Sequence, residues 1–174
     1  MKKQSSLLLI LMLLLVLAGC GAKPAPTEPP ELTVTNAQGA SITAMGGSYD
    51  WDYEAGGGQR TGAIACGMHP LDETLRDSTP ALEMPIAVSA SFYYTVTLSF
   101  GDCAPDSVIL RYWNEQCWGD TQAKAEKLSV QRQDDGTYTA ELLPSVGIFQ
   151  VDAQWDTEDY CGRAFYSFCT KAAE

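Results

Sequence analysis

Apolar and polar residues alternate one for one over most of the chain after residue 32. In residues 90–100, Phe92, Tyr94, Val96, Leu98 and Phe100 fall on one side of an extended chain, and Tyr93, Thr95, Thr97 and Ser99 fall on the other. A period of two marks a half-buried strand, whereas a helix would scatter both sets around its circumference. The same alternation recurs in Val108, Leu110 and Tyr112, and in Leu128 and Val130 against Lys127 and Gln131. It returns in Tyr138, Ala140 and Leu142, in Phe149, Val151, Ala153 and Trp155, and in Ala164, Tyr166 and Phe168. Turn signals separate these runs. Asp135-Gly136 suits a tight hairpin, because both residue types tolerate the backbone such turns need. Residues 157–162 join the last two strands. The one helix-like piece, residues 71–77 after Pro70, is long enough for a turn or two. Short strands at intervals of 8 to 14 residues predict an all-β domain, an antiparallel β-sandwich over residues 32–174.

The N-terminus follows another rule. Residues 7–18 are an unbroken apolar run of twelve, preceded by Lys2 and Lys3 and followed by Gly19, Cys20, Gly21 and Ala22. Twelve residues fall short of the ~20 that cross a hydrocarbon core but match the h-region of a signal peptide. The stretch Leu17-Ala18-Gly19-Cys20 resembles a bacterial lipobox. That resemblance implies a signal peptide over residues 1–19 and a diacylglycerol on the Cys20 thiol, hence an extracytoplasmic protein held on the bacterial cell membrane through its lipid. Residues 20–31 then form a lipidated linker. Residues 21–31, GAKPAPTEPPE, contain four of the nine prolines. Such spacing favours an extended chain that would hold the domain roughly 30 Å from the bilayer at ~3.1 Å per residue.

Charge narrows the partners. The chain of 174 residues carries 11 Lys and Arg against 22 Asp and Glu, a formal −11. Removing residues 1–19 leaves 155 residues with 9 basic and 22 acidic side chains, or −13. No nucleic acid partner is expected, because phosphate binding needs clustered cations. The same charge is repelled by anionic headgroups, so membrane attachment falls to the acyl chains on Cys20.

Several stretches resemble pieces of one family. They are GSYDW at 47–51, HPL at 69–71, VILRYW at 108–113, DDGTY at 134–138, AQW at 153–155 and GRAFYSF at 162–168. Together they make residues 32–170 similar to the Ig-like β-sandwich modules of Firmicutes surface lipoproteins and of the extracellular extensions of BlaR-type membrane sensors. The resemblance implies an Ig-like strand order and a surface location, and it implies no ligand or activity. On that order, residues 92–100, 107–113, 147–155 and 162–169 correspond to strands B, C, F and G. Cys103 and Cys161 then share one end of the sandwich and Cys117 and Cys169 the other, so disulfides are expected within each pair, with Cys66 left over. The alternative is that all five thiols remain reduced. Cys161 and Cys169 cannot pair with each other, because eight extended residues separate them by about 26 Å.

Candidate chemistry is sparse. Cys66 and His69, spaced as CGMH, make half a zinc site, and nothing in the spacing completes it. His69 is the only histidine. With one imidazole and no Gly-x-Ser-x-Gly elbow, no catalytic residues, metal ligands or cofactors are assigned. The glycine-rich GGGQRTG at 56–62 lacks the Lys-Ser/Thr ending of a phosphate loop and reads as a hairpin turn. Asp156, Glu158 and Asp159, with Asp152 nearby, could attract calcium but read as a solvated loop. Trp51 and Trp155 belong to strand-like runs and are expected in the core. Trp118, in the polar turn of residues 114–120, either folds back over the sandwich or presents a ring to a ligand, and it is the candidate binding residue. The expected function is a non-catalytic module for an envelope protein or wall polymer. The alternatives are a small carbohydrate- or substrate-binding lipoprotein and, third, a small envelope hydrolase.

Overall fold

The computed structural model describes residues 24–85, 93–142 and 146–173. Residues 1–23, with the apolar run and Cys20, lie outside them, as does Phe92. Twelve strands account for most of the remainder. They are β1 (Thr33–Asn36), β2 (Ser41–Thr43), β3 (Met45–Glu54), β4 (Arg60–Ala65), β5 (Ala81–Met84), β6 (Tyr94–Ser99), β7 (Ser107–Asn114), β8 (Glu126–Leu128), β9 (Val130–Arg132), β10 (Tyr138–Leu142), β11 (Gly147–Asp156) and β12 (Tyr160–Ala172).

The strands form two packed antiparallel sheets. The smaller runs β2-β1-β6-β10-β9 and the larger β4-β3-β12-β11-β7-β8, with β5 added in parallel to the end of β12. With β6 as B, β7 as C, β11 as F and β12 as G, strand F stands between C and G while B lies in the opposite sheet, the Ig-like order. Hairpins follow the turn chemistry: β3 and β4 are joined through Gly56, Gly57 and Gly58, all with φ between 65° and 95°. Asp135 accepts from the Thr137 amide and hydroxyl, which fixes the turn before β10.

The alternation read from the chain is the alternation of the core. Val96, Leu98, Leu110, Ala140, Leu142, Phe149, Val151 and Phe168 interdigitate between the sheets, and Trp51 and Trp155 meet edge to face at 5.1 Å. Their indole N–H groups are satisfied by the carbonyls of Pro26 and Cys103. Tyr138 donates to Pro105 at 2.7 Å, which pins the loop between β6 and β7 to the other sheet. The helix-like piece reduces to a single 3-10 turn, Glu73–Leu75, in which the Asp72 carboxylate accepts from the Thr74 amide and hydroxyl. One run divides: Leu128 belongs to β8 in the large sheet and Val130 to β9 in the small one, so the chain crosses between sheets at Ser129.

Two features depart from the pattern. From Pro24 onward, the segment expected to stand clear as a tether instead lies on the domain. The Pro26 carbonyl accepts from Trp51 at 2.8 Å, the Pro30 carbonyl accepts from Tyr166 at 2.7 Å, and Leu32 is completely buried. Proline carbonyls keep their lone pairs although the ring nitrogen donates nothing, so a proline-rich strip can be bound by side-chain donors with no strand pairing. The strip covers the inner surface of β3, where the larger sheet extends past the smaller. The second feature is the outer edge of β4, which among the described residues pairs only with β3 and whose outermost large side chain, Ile64, is 80% exposed.

Candidate functional site on the outer face of the large sheet

The register decides which side chains meet on the outer face. Across β7, β11 and β12 it sets Trp113, Ile148 and Cys169 in one row, Arg111, Gln150 and Ser167 in the next, and Ile109, Asp152 and Phe165 in a third. A fourth row continues from Gln154 through Arg163 and Asp50 to Ile64 on β4. Those on β3, β7, β11 and β12 alternate with core positions on their own strands.

Asp152 is the centre of this face. Its carboxylate is 4% exposed and accepts Nε and Nη2 of Arg163 side on, with Arg111 Nη2 reaching the same Oδ2 at 2.9 Å. Burial alone would raise its pKa. The hydrogen bonds and charges of the two guanidinium groups outweigh that and hold the carboxyl below the usual carboxylate range. The guanidinium of Arg163 also lies 4.8 Å above the Phe165 ring, and its own pKa is pushed up, chiefly by the bond to Asp152.

Beside Phe165 opens a shallow cavity of about 360 Å³, lined by Gly47, Ser48, Met68, His69, Gln150 and Ser167 among others. Its rim is the CGMH stretch, clamped onto β3 because the Gly67 amide donates to Ser48 Oγ at 2.9 Å. Only glycine fits there: a Cβ on residue 67 would stand 2.6 Å from the Gly47 carbonyl carbon. Around the cavity and the arginines, Ile64, Met68 and Ile109 are 80%, 58% and 37% exposed. These exposed apolar side chains share one face with the fixed charges, which makes it the candidate contact surface.

The residues singled out from the chain are distributed as follows. His69 lines the cavity, with Nδ1 accepting the Leu71 amide at 3.2 Å and the ring edge against Trp113, so Nε2 is the nitrogen left for chemistry. Cys66 is exposed nearby, and no group of three or more His, Cys, Asp or Glu able to hold a metal ion occurs among the described residues. Asp152 does not join Asp156, Glu158 and Asp159, since it is committed to the two arginines. Trp118 folds back: half-buried, it packs with Cys117, Ala123 and Ala125 over Leu71, Trp113 and Ile148.

The expected disulfides are absent; Cys66, Cys103, Cys117, Cys161 and Cys169 are all free. Cys161 alternates with the core residue Tyr160 and so faces outward, its Sγ 3.2 Å from Arg60 Nη2. Cys103 lies on the inner side, its carbonyl accepting from Trp155 and its thiol beside the Tyr160 hydroxyl, so the two thiols do not share a face. Cys117 and Cys169 do share one end and one apolar cluster. Cys117, however, follows β7 and Cys169 is on β12, with β11 between them. Two strand spacings come to about 10 Å, beyond the ~7 Å Cα limit of a bridge. Burial pushes the Cys169 thiol up to about 11, so it is a packed, unreactive sulfur.

Arg111, Arg163, Ile64 and Ile109 escaped the reading of the chain. Each sits on the polar side of an alternating run, but their convergence depends on a register that alternation does not encode. Comparison with known families, with curated proteins and with solved structures finds no match to this chain.

Proposed function

We propose that this chain is a non-catalytic binding module, lipid-anchored through Cys20 on the outside of the bacterial membrane, that takes a protein or wall component on the outer face of its large sheet. The observation that carries the binding face is the placing of the exposed Ile64, Met68 and Ile109 on the same face as the partly exposed Arg111 and Arg163, which the buried Asp152 holds in position. That cluster fixes two guanidinium groups beside apolar surface, a combination that favours extended polypeptide or polymer carrying hydrogen-bond acceptors. The order of charge, apolar run, small residues and Cys20 supports the anchor. The resemblance to Ig-like lipoprotein modules supports a non-catalytic role.

Two measurements test the reading separately. Labelled fatty acid should enter the wild-type protein and be lost, together with membrane retention, in Cys20→Ala. A photo-crosslinking residue in place of Ile64 or Ile109 should give discrete adducts in living cells. The same residue in place of Gln131, exposed on the small sheet, should give none. Adducts of equal yield from all three positions would remove the outer face as the contact surface.

A further inference from the structure

The docked strip has a consequence for the way the domain stands. Pro26 and Pro30 are tied down by Trp51 and Tyr166, and the strip ends at Pro24 and Ala25, which line a hollow with Tyr53, Glu54, Gly56 and Asp159. The chain therefore leaves the domain at the end that carries the β3–β4 and β11–β12 turns. These turns are bonded to each other: the Glu54 amide donates to the Asp159 carbonyl, and Arg60 donates to the Glu158 carbonyl. The loop between β6 and β7 belongs to the same end, since the Asp106 carboxylate accepts the Asp156 amide at 2.7 Å. Glu54, Asp106, Asp156, Glu158 and Asp159 thus surround the exit of the chain.

We infer that the acid-rich turn end of the sandwich faces the bilayer at close range and that the end capped by Trp118 faces away. This rests on acylation of Cys20, as proposed above. Only Gly21, Ala22 and Lys23 then remain between the acylated residue and the docked strip. The four steps from Cys20 to Pro24 reach at most about 14 Å, whereas the thirteen residues of β12 extend for about 43 Å. A leash one third as long as the body it holds keeps the exit end near the headgroups. The short leash holds the acid-rich end near the headgroups against the repulsion its own carboxylates meet there, while the net negative charge keeps the long sides off an anionic surface, so the domain stands on that end. The outer face of the large sheet is then presented sideways, toward a neighbour rooted in the same membrane or lying along it.

The test uses the full acylated chain in vesicles of phosphatidylglycerol and phosphatidylcholine with an energy acceptor on the headgroups. A dye is attached through an azide-bearing residue at Gln59, in the β3–β4 turn, or at Gln116, at the far end. Transfer from position 59 should exceed that from position 116 several-fold. Twelve Gly/Ser residues inserted between Lys23 and Pro24 should abolish the difference, and the pair Trp51→Phe with Tyr166→Phe should reduce it by freeing the strip. Equal transfer from both positions in the uninserted chain, or a difference that survives the insertion, overturns the inference. Failure of acylation is read separately as absence of fatty-acid label. In that event a chain with six histidines in place of residues 1–20, bound to nickel-chelating lipid, reads the same pair of positions, and equal transfer there overturns the orientation as well.

Discussion

The four tryptophans fall into two pairs that are covered for different reasons. Trp51 and Trp155 point inward, against each other and against Phe100 and Tyr160, in the space that both sheets enclose. Trp113 points outward from β7, and it is covered only because the loop carrying Leu71 and the turn carrying Trp118 fold over it. Its indole N–H donates to the Ala123 carbonyl of the covering chain. The first pair is held by the fold as a whole, the second by a local lid. Burial in a sandwich is therefore of two kinds, and the second kind can open while the sheets stay closed.

The sharpest test of that distinction is Trp155→Ala. It removes a ring that touches both sheets and should cost about 3 to 5 kcal/mol, lowering the melting temperature by roughly 10 to 15 °C. Leu71→Ala should cost less, about 2 kcal/mol, and its effect should be local. Near-ultraviolet dichroism should change as Trp113 and Trp118 loosen, while denaturation remains a single transition. Equal losses from the two variants would merge the two regions into one core.

Asp152→Asn probes the same outer face two rows away and should have the smallest effect, about 1 to 2 kcal/mol, because the side chains of Arg111 and Arg163 reach solvent and are not left buried without a partner. Its signature is in the pH dependence. The folded carboxyl titrates below the unfolded value of about 3.9, so the unfolded chain binds more protons. The stabilisation is complete above that value and is lost as pH falls through the lower folded one. Wild-type protein should lose stability between about pH 5 and pH 2 more steeply than Asp152→Asn, in urea melts at each pH. Parallel pH profiles would show that the pair contributes nothing.

The strands were legible in the chain because alternation is a property of one strand at a time. Phe149, Val151, Ala153 and Trp155 face inward as their spacing requires. What alternation leaves open is register. The partners of Asp152 stand 41 and 11 residues away, and no local pattern brings them together. The same gap undid the cysteine pairs: Cys103 and Cys161 share an end but not a face, and Cys117 and Cys169 share an end but stand two strand spacings apart. The proline strip misled for a different reason. Proline spacing reports an extended backbone, and an extended backbone is equally suited to solvent and to a surface offering an indole and a phenol as donors.

The free edge of β4 links this architecture to the protein's acidity. Its six residues, RTGAIA, carry one charge and no proline, and among the described residues their outer backbone groups have no strand partner, a template to which an extended chain could add itself. Colloidal repulsion stands in for the missing strand: at −11 over the chain, two copies meet a common field before their edges can meet. Such a field reaches only about 8 Å at physiological ionic strength and less in stronger salt. Resistance to edge-to-edge association is thus a property of the domain's ionisation as much as of its fold, and acid or salt weakens the barrier that keeps one sheet from continuing into the next.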